Sequence, residues 1–588
     1  MKRIFTLLLT MALALGLVAC GSTSGSGSST GSTKTYDLTL DMAAWRYDAT
    51  NDVYYQIGLV YCTTPQAAAY ESLGLYVPGA YMTGTANGDG TYTCTVNASG
   101  TVGSYTAATA PYVLPVNTPG YAAQAAPTSY SYSDVASYIQ AGFIYVYAGC
   151  RGRSNGTNDD GSSYAGGSPW GVTDLKAAIR YIRYNAAQLP GNAADTFTFG
   201  MSGGGAQSAI VGASGDSPLY TAYLNAIGAA MTDAAGNTLS DAVVGSMCWC
   251  PITSLDEADE AYEWMMGQYA TTGTRADGTF TAALSDDLAA AFAEYINAIG
   301  LKDASGNTLT LEATDGSIYA AGTYYDYLVG VIEQSLDNFL SDTAFPYTPA
   351  STNGGMGGRP SGGPASKSAA TAMSSAATAT YQTAQEYIDA LNGDDPWISY
   401  DAKTNTATIT SIAAFVTHCK QATKDVGAFD DLNRSQAEND VFGTADSDAL
   451  HFDAVMAKLL ADNKDKYAAC SDFDASYADA YAGDLKSVDA LGTDSATRQQ
   501  MYNPMYYVCA GYDGYGSATV AKYWRINTGL FQGDTALTTE TNLALALQAN
   551  AAVSSVDFTT VWGLGHTTAE RTGDSTSNFI SWVNSCLS

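Results

Sequence analysis

Positive charge is scarce in this sequence: 25 Lys and Arg stand against 57 Asp and Glu in 588 residues, a formal net charge of -32. A chain so acidic repels phosphate backbones and carries no basic footprint, so nucleic acid is not expected as a partner. Long apolar runs are missing as well. Beyond the first twenty residues nothing approaches the roughly 18 apolar residues that span a bilayer, and no further membrane-spanning helix is expected. The pair Cys248 and Cys250 in "MCWCPIT" is one residue too close for Cys-x-x-Cys and has no matching second pair, so no zinc site or other metal site is expected. Histidine is rarest of all, with three residues, which confines any imidazole chemistry to His418, His451 and His566. What is present is apolar: 46% of residues are hydrophobic and 14% charged, the composition of a globular chain with one large core and insertions, or two to three domains.

Residues 1–20, "MKRIFTLLLTMALALGLVAC", combine a short basic start, an apolar run and the small residues before Cys20. This is the pattern of a secretory signal, and it resembles the bacterial lipobox, in which the cysteine is acylated and becomes the new N-terminus. Residues 21–36 contain the Gly/Ser/Thr-rich "GSTSGSGSSTGSTK", expected to be a flexible tether. An extracytoplasmic protein held to the cell membrane through lipid on Cys20 is expected from these two segments. The other cysteines are odd in number once Cys20 is set aside, and their spacing prescribes no pairing.

From residue 37 the chain reads as strands, "DLTLDMAAWRYD", "DVYYQIGLVYC" and "ESLGLYVPGAYM", followed by the buried-strand run in "SYIQAGFIYVYAG". In "GVTDLKAAIRYIRYN" the residues Val172, Leu175, Ala178, Ile179 and Ile182 recur at helical spacing. A strand then ends at Ser202 and "GGAQSAIVGAS" reads as a helix. Strand and helix in alternation predict an α/β fold, a mostly parallel sheet flanked by helices. Residues 255–500 are instead rich in Ala, Asp and helical patterns, with a low-complexity loop at 351–380. Alternation resumes in 501–588 with "KYWRINTGL", "TTETNLALALQAN" and "SVDFTTVWG". The organisation expected is a core in two parts, 37–254 and 501–588, interrupted by a large helical lid.

Gly200-x-Ser202-x-Gly204 fits the nucleophile elbow, in which a serine occupies a strained strand-to-helix turn and the flanking glycines remove Cβ atoms that would clash. A serine hydroxyl needs a base to take its proton. His418 sits in a helix-like run and His451 near a helix start, whereas His566 follows an apolar strand through a Gly-x-Gly turn, which makes it the candidate base. The acid that orients it should precede it in the chain. Asp534, after "KYWRINTGL" and before a helix, is the first choice, with an N-cap as its other reading; Asp513 is a rival. For an oxyanion hole, Gly203 follows the nucleophile, and Cys150 or a neighbour in "AGCRGRSN" is the candidate for the second N–H. Arg151 is open between a substrate contact and an ordinary surface arginine.

At these residues the sequence resembles the bacterial tannase family, α/β-hydrolase esterases with a large helical lid. "YAGCRGR", "TFTFGMSGGGAQSAIVGAS", "CPITSLDEADEAYEW", "AFDDLNRSQAENDVFG", "YWRINTGLFQGDTAL" and "VWGLGHTTAERTGD" carry the likeness from about residue 37 to the end. The resemblance implies an α/β-hydrolase fold and hydrolysis of an aromatic ester, galloyl or hydroxycinnamoyl in type, through an acyl-serine and without a cofactor. It also implies that Lys424 and Glu438 hold the substrate's phenolic hydroxyls. One departure stands out: anchored on "DTAL", Asp534 matches the family's substrate-binding aspartate and the position of the triad acid holds Gln532. The expected partner is a small aromatic ester, with a peptidase on the same fold or a non-catalytic capture lipoprotein as alternatives.

Overall fold

The computed structural model describes residues 34–153, 167–314, 318–349 and 379–588. The signal segment with Cys20, most of the tether, and residues 351–378 of the low-complexity stretch lie outside the described residues. The chain divides into two units, Met1–Thr35 and Tyr36–Ser588, and the second holds the sheet and its helices.

Among the described residues, nine strands form the central sheet: β1 Arg46–Asp48, β2 Val53–Val60, β3 Ser72–Pro78, β4 Tyr112–Val116, β5 Ile144–Ala148, β6 Thr196–Met201, β7 Gly245–Trp249, β8 Tyr523–Gly529 and β9 Ser555–Val561. Their spatial order is β1-β2-β3-β5-β4-β6-β7-β8-β9. The first three strands run antiparallel to their neighbours, and the six from β5 to β9 are mutually parallel. A parallel strand covered on both faces needs apolar residues on both. β4, "YVLPV", and β7, "GSMCW", are accordingly buried at every position.

Named helices are α1 Tyr132–Gln140, α2 Trp170–Tyr184, α3 Gly203–Ala213, α4 Ala258–Met265, α5 Phe280–Ile299, α6 Thr323–Asp342, α7 Ile412–Cys419, α8 Ala437–Val441 and α9 Leu537–Ala549. In α2 the apolar positions face the core as the spacing predicts, but the charged Asp174, Lys176 and Arg180 are buried too. Asp174 pairs with Arg151 at 2.6 Å, and Asp241 takes Lys176 at 2.8 Å and Arg180 at 2.6 Å. Arg151 is 1% exposed. It is therefore neither a surface residue nor a substrate contact: its guanidinium is committed to Asp174, with Glu71 at 3.4 Å.

Helices α4 to α8 and the hairpin Ile398–Asp401/Thr406–Ile409 fall between β7 and β8, which are adjacent parallel strands. Part of this insertion has a core of its own. Phe280, Leu284 and Leu288 of α5 meet Val426, Met456, Leu460, Tyr467 and Tyr481, apart from the main cluster around the sheet. α5 ends at Gly300, whose φ of 69° is the left-handed conformation that closes a helix at low cost for glycine.

Candidate active site

Ser202 stands between β6 and α3 with φ 61° and ψ -128°. Positive φ is disfavoured for a residue with a Cβ, so the turn persists only because strand and helix hold both ends. The glycines after it answer to close approach. A Cβ on Gly204 would lie 2.0 Å from the Val116 carbonyl oxygen, and one on Gly203 would lie 2.5 Å from both the Thr118 oxygen and the Tyr121 nitrogen. The turn carrying Ser202 is thus pressed onto the end of β4 and the segment after it.

His566, in the loop after β9, brings Nε2 to 2.8 Å from Ser202 Oγ. Its Nδ1 lies 2.6 Å from Oε1 of Gln532, in the loop after β8. An amide oxygen only accepts, so this contact fixes the proton on Nδ1 and leaves Nε2 with a lone pair aimed at the serine hydroxyl. Burial holds the His566 imidazolium below its ordinary range of 6.5; the nearby Lys424 and Lys420 push the same way, while Asp534 pulls upward. The ring is therefore a neutral base at neutral pH.

The third position is where the structure parts from the first choice made on sequence. Asp534 Oδ2 is 3.9 Å from His566 Nδ1, beyond hydrogen-bond distance, and its side chain is 49% exposed. Gln532, 2% exposed, makes the hydrogen bond instead. The two stand two positions apart in the loop, and only the one nearer to β8 is carried inward. Asp534 does not cap the next helix either: Ala536 stands at the cap of α9, without a side-chain bond. Asp513 lines a separate cleft with Asp256, Gln499 and Asn503.

Cys150 departs from expectation as well. Its N–H donates to the Gln124 oxygen at 2.9 Å, and Gln124 N–H returns the bond to Cys150. An amide engaged in that bridge is not free for a developing oxyanion. The backbone that does reach Gly203 is that of Thr118 to Tyr121, directly after β4, where Gly120 has φ 54°. The Pro119-Gly120 pair following the apolar "YVLPV" was the available signal for this loop. Gly203 itself opens α3, so its N–H has no carbonyl one turn back within the helix.

Lys424 and Glu438 approach this region from the insertion. Lys424 Nζ sits 3.9 Å above the Phe429 ring, near enough to His566 for its charge to bear on the imidazole. Glu438, 4% exposed, lies on α8; burial first, and then the Glu438 charge, raise the pKa of the Tyr121 phenol beside the serine loop. Arg153 ties the two together, donating from Nε to the Gly120 oxygen and pairing through Nη1 with Asp440 of α8 at 3.0 Å.

The other histidines are placed elsewhere. His418 stacks on Trp397 with ring centroids 5.2 Å apart, and His451 is buried 2.6 Å from Asp430. Two residues that sequence reasoning missed stand behind Gln532. Glu540 of α9 is fully buried, and Lys420, just past α7, donates to the Gln532 carbonyl and, at 2.9 Å, to that of Thr535. A lone acid in the Thr- and Leu-rich "LTTETNLALAL" was the only trace of the first.

No protein-family model and no curated protein matches this chain. Solved structures do. The tannase of Fusobacterium nucleatum aligns with TM-score 0.66 and 23% identity over 94% of this chain and 100% of its own. The tannin acyl hydrolase of Lactobacillus plantarum aligns with TM-score 0.64 and 23% identity over 94% of this chain and 99% of its own. A tannin acyl hydrolase in complex with ethyl gallate gives TM-score 0.60 and 24% identity, covering 94% and 99%. The chain therefore has the α/β-hydrolase fold in the form taken by the tannases.

Proposed function

We propose that this protein is a serine carboxylic-ester hydrolase acting on aromatic esters of galloyl or hydroxycinnamoyl type. The observation that carries the reading is His566 held between Ser202 and Gln532, at 2.8 and 2.6 Å, on a strained strand-to-helix turn. In this scheme His566 Nε2 takes the Ser202 proton as Oγ attacks the ester carbonyl. The negative charge that develops on the carbonyl oxygen is met by the Gly203 N–H and by a backbone N–H of the loop 118–121, in place of the Cys150 amide. His566 then protonates the departing alcohol, and water, activated by the same imidazole, releases the acid from the acyl-serine.

A tannin acyl hydrolase of the same fold has been solved with ethyl gallate, and that supports an aryl ester as substrate. So do a cation and a buried carboxylate from the insertion, since Lys424 can stabilise a phenolate-like oxygen and Glu438 can accept a phenol's proton in a hydrogen bond. The lipobox pattern at Cys20 supports an extracytoplasmic, membrane-tethered enzyme. The test is hydrolysis of methyl gallate, methyl ferulate and p-nitrophenyl butyrate by protein starting after Cys20, with Ser202→Ala as control. Turnover of gallate or ferulate that vanishes in the variant is the expected result. Folded protein with no Ser202-dependent turnover and no fluorophosphonate labelling overturns the reading.

A further inference from the structure

We infer that Glu540 is a positioning residue for this reaction, supplying through the Gln532 side chain the negative charge that a triad aspartate would place directly on His566. The inference rests on the esterase reading. Its geometry is a chain of hydrogen bonds: Ser202 Oγ to His566 Nε2 at 2.8 Å, His566 Nδ1 to Gln532 Oε1 at 2.6 Å, and Gln532 Nε2 to Glu540 Oε1 at 2.9 Å. The amide is clamped in this orientation, because Nε2 also donates to Thr528 Oγ1 at 2.7 Å, and that hydroxyl donates to the same Glu540 oxygen at 3.0 Å. Flipping the amide would set an N–H against the imidazole N–H and an oxygen against a carboxylate.

An amide bonded to a carboxylate through its N–H is polarised, its oxygen gaining negative charge, and hydrogen-bond chains in a dry interior strengthen one another. When His566 takes the serine proton, the imidazolium faces that enriched oxygen with a full carboxylate one residue behind. No proton passes to Glu540; it acts through orientation and field alone.

Glu540 is an odd residue to find otherwise. It is completely buried, and its Oε2 has no hydrogen bond among the described residues. Burying a carboxylate at the foot of α9 is unfavourable unless it is compensated. The groups facing it are Gln532, Thr528 of β8, Thr535 of the following loop, the Cys250 thiol after β7, and Lys420 past α7, which is also within reach of Asp534. Glu257, from the segment packed against the same helix, is oriented toward Asn542. Burial raises the Glu540 carboxyl to about 7 against the pull of Lys420, and lowers the Lys420 ammonium to about 8. Glu540 therefore ionises over the same range in which His566 must be neutral.

The experiment compares wild type, Ser202→Ala, Glu540→Gln and the charge swap Gln532→Glu/Glu540→Gln, by kcat against pH on a turned-over aryl ester and by the rate of fluorophosphonate inactivation. In wild type kcat should fall in two steps with acidification, a partial one near pH 7 as Glu540 takes a proton and a complete one below 6.5 as His566 does. Glu540→Gln keeps the shape and a hydrogen bond but not the charge; its plateau kcat should fall about 10- to 100-fold with KM little changed, and the upper step should disappear. The charge swap puts a carboxylate directly on Nδ1 and an amide behind it, so kcat should return to within a few-fold of wild type and the imidazole step should move to higher pH. A Glu540→Gln plateau within twofold of wild type, with Ser202-dependent turnover intact, overturns the relay and leaves the esterase standing. Absence of Ser202-dependent turnover and labelling in wild type overturns both. Should Glu540→Gln fail to fold, the charge swap, which retains one carboxylate and one amide, decides; should that fail too, a single step in the wild-type profile overturns the proposal.

Discussion

Replacing Gln532 by methionine, and separately Asp534 by asparagine, asks which of the two residues orients His566. Methionine keeps the length of glutamine and removes three hydrogen bonds: to His566 Nδ1 at 2.6 Å, Glu540 Oε1 at 2.9 Å and Thr528 Oγ1 at 2.7 Å. Buried neutral bonds contribute about 1 kcal/mol each and one to a charged group about 1.5–3 kcal/mol, so the fold should lose roughly 3–5 kcal/mol. Catalysis should suffer separately. An unheld imidazole samples the wrong tautomer and rotamer, and losing about 2–3 kcal/mol of orientation is about a 30- to 150-fold drop in kcat. Asp534 acts over 3.9 Å from a half-exposed position. Across that gap two charges in a water-like dielectric interact by about 1 kcal/mol, less in salt, so Asp534→Asn should lower kcat by no more than about fivefold. The assay is kcat on an aryl ester below the unfolding temperature of each variant, with fluorophosphonate inactivation as a measure independent of substrate. A large loss in Asp534→Asn with Gln532→Met within threefold of wild type would refute the assignment of the third position to Gln532.

Gly204→Ala places a methyl 2.0 Å from the Val116 oxygen, where backbone on both sides cannot yield. The variant should unfold at least ten degrees lower or fail to fold, by thermal melt, and a wild-type melt would contradict the packing of the elbow on β4. Lys424→Met and Glu438→Gln should raise KM for gallate esters about tenfold while leaving p-nitrophenyl butyrate turnover within twofold; equal losses on both substrates would place these residues outside phenol recognition. Arg151→Met leaves Asp174 buried and unpaired, and breaking such a pair costs about 3–5 kcal/mol, read from denaturant midpoints. In cells, Cys20→Ala should move the protein from the membrane to the soluble fraction, and an unchanged distribution would rule out the lipid tether.

What could be read from the chain beforehand was whatever depends on local pattern. The turn at Ser202 needs glycines, a strand before and a helix after, and all of these lie within "TFTFGMSGGGAQSAIVGAS". His566 is legible because three histidines are few enough to weigh one by one and it follows an apolar strand through a Gly-x-Gly turn. The loop at 118–121 was missed because it meets Gly203 only through the pairing of β4 with β6, in the register Val116↔Gly200, and nothing in the sequence between them announces that pairing. Small residues after a strand look alike in sequence, which makes Cys150 a candidate, yet its amide is consumed by a bridge to Gln124 that no spacing announces.

Gln532 is the instructive case. Charge made Asp534 the natural candidate, since a carboxylate is the usual partner of a catalytic imidazole, and two residues of separation in a loop cannot be resolved from sequence. Burial decided otherwise, because the loop after β8 turns Gln532 inward and leaves Asp534 half in solvent. An amide alone would make the site look weakened. A buried carboxylate in α9, bonded to that amide and balanced by Lys420, makes the substitution intelligible as a displacement of the charge by one side chain. Both the position in contact with His566 and the one behind it are buried, so the base stays oriented in either arrangement, and the displaced charge acts on it over a longer electrostatic path.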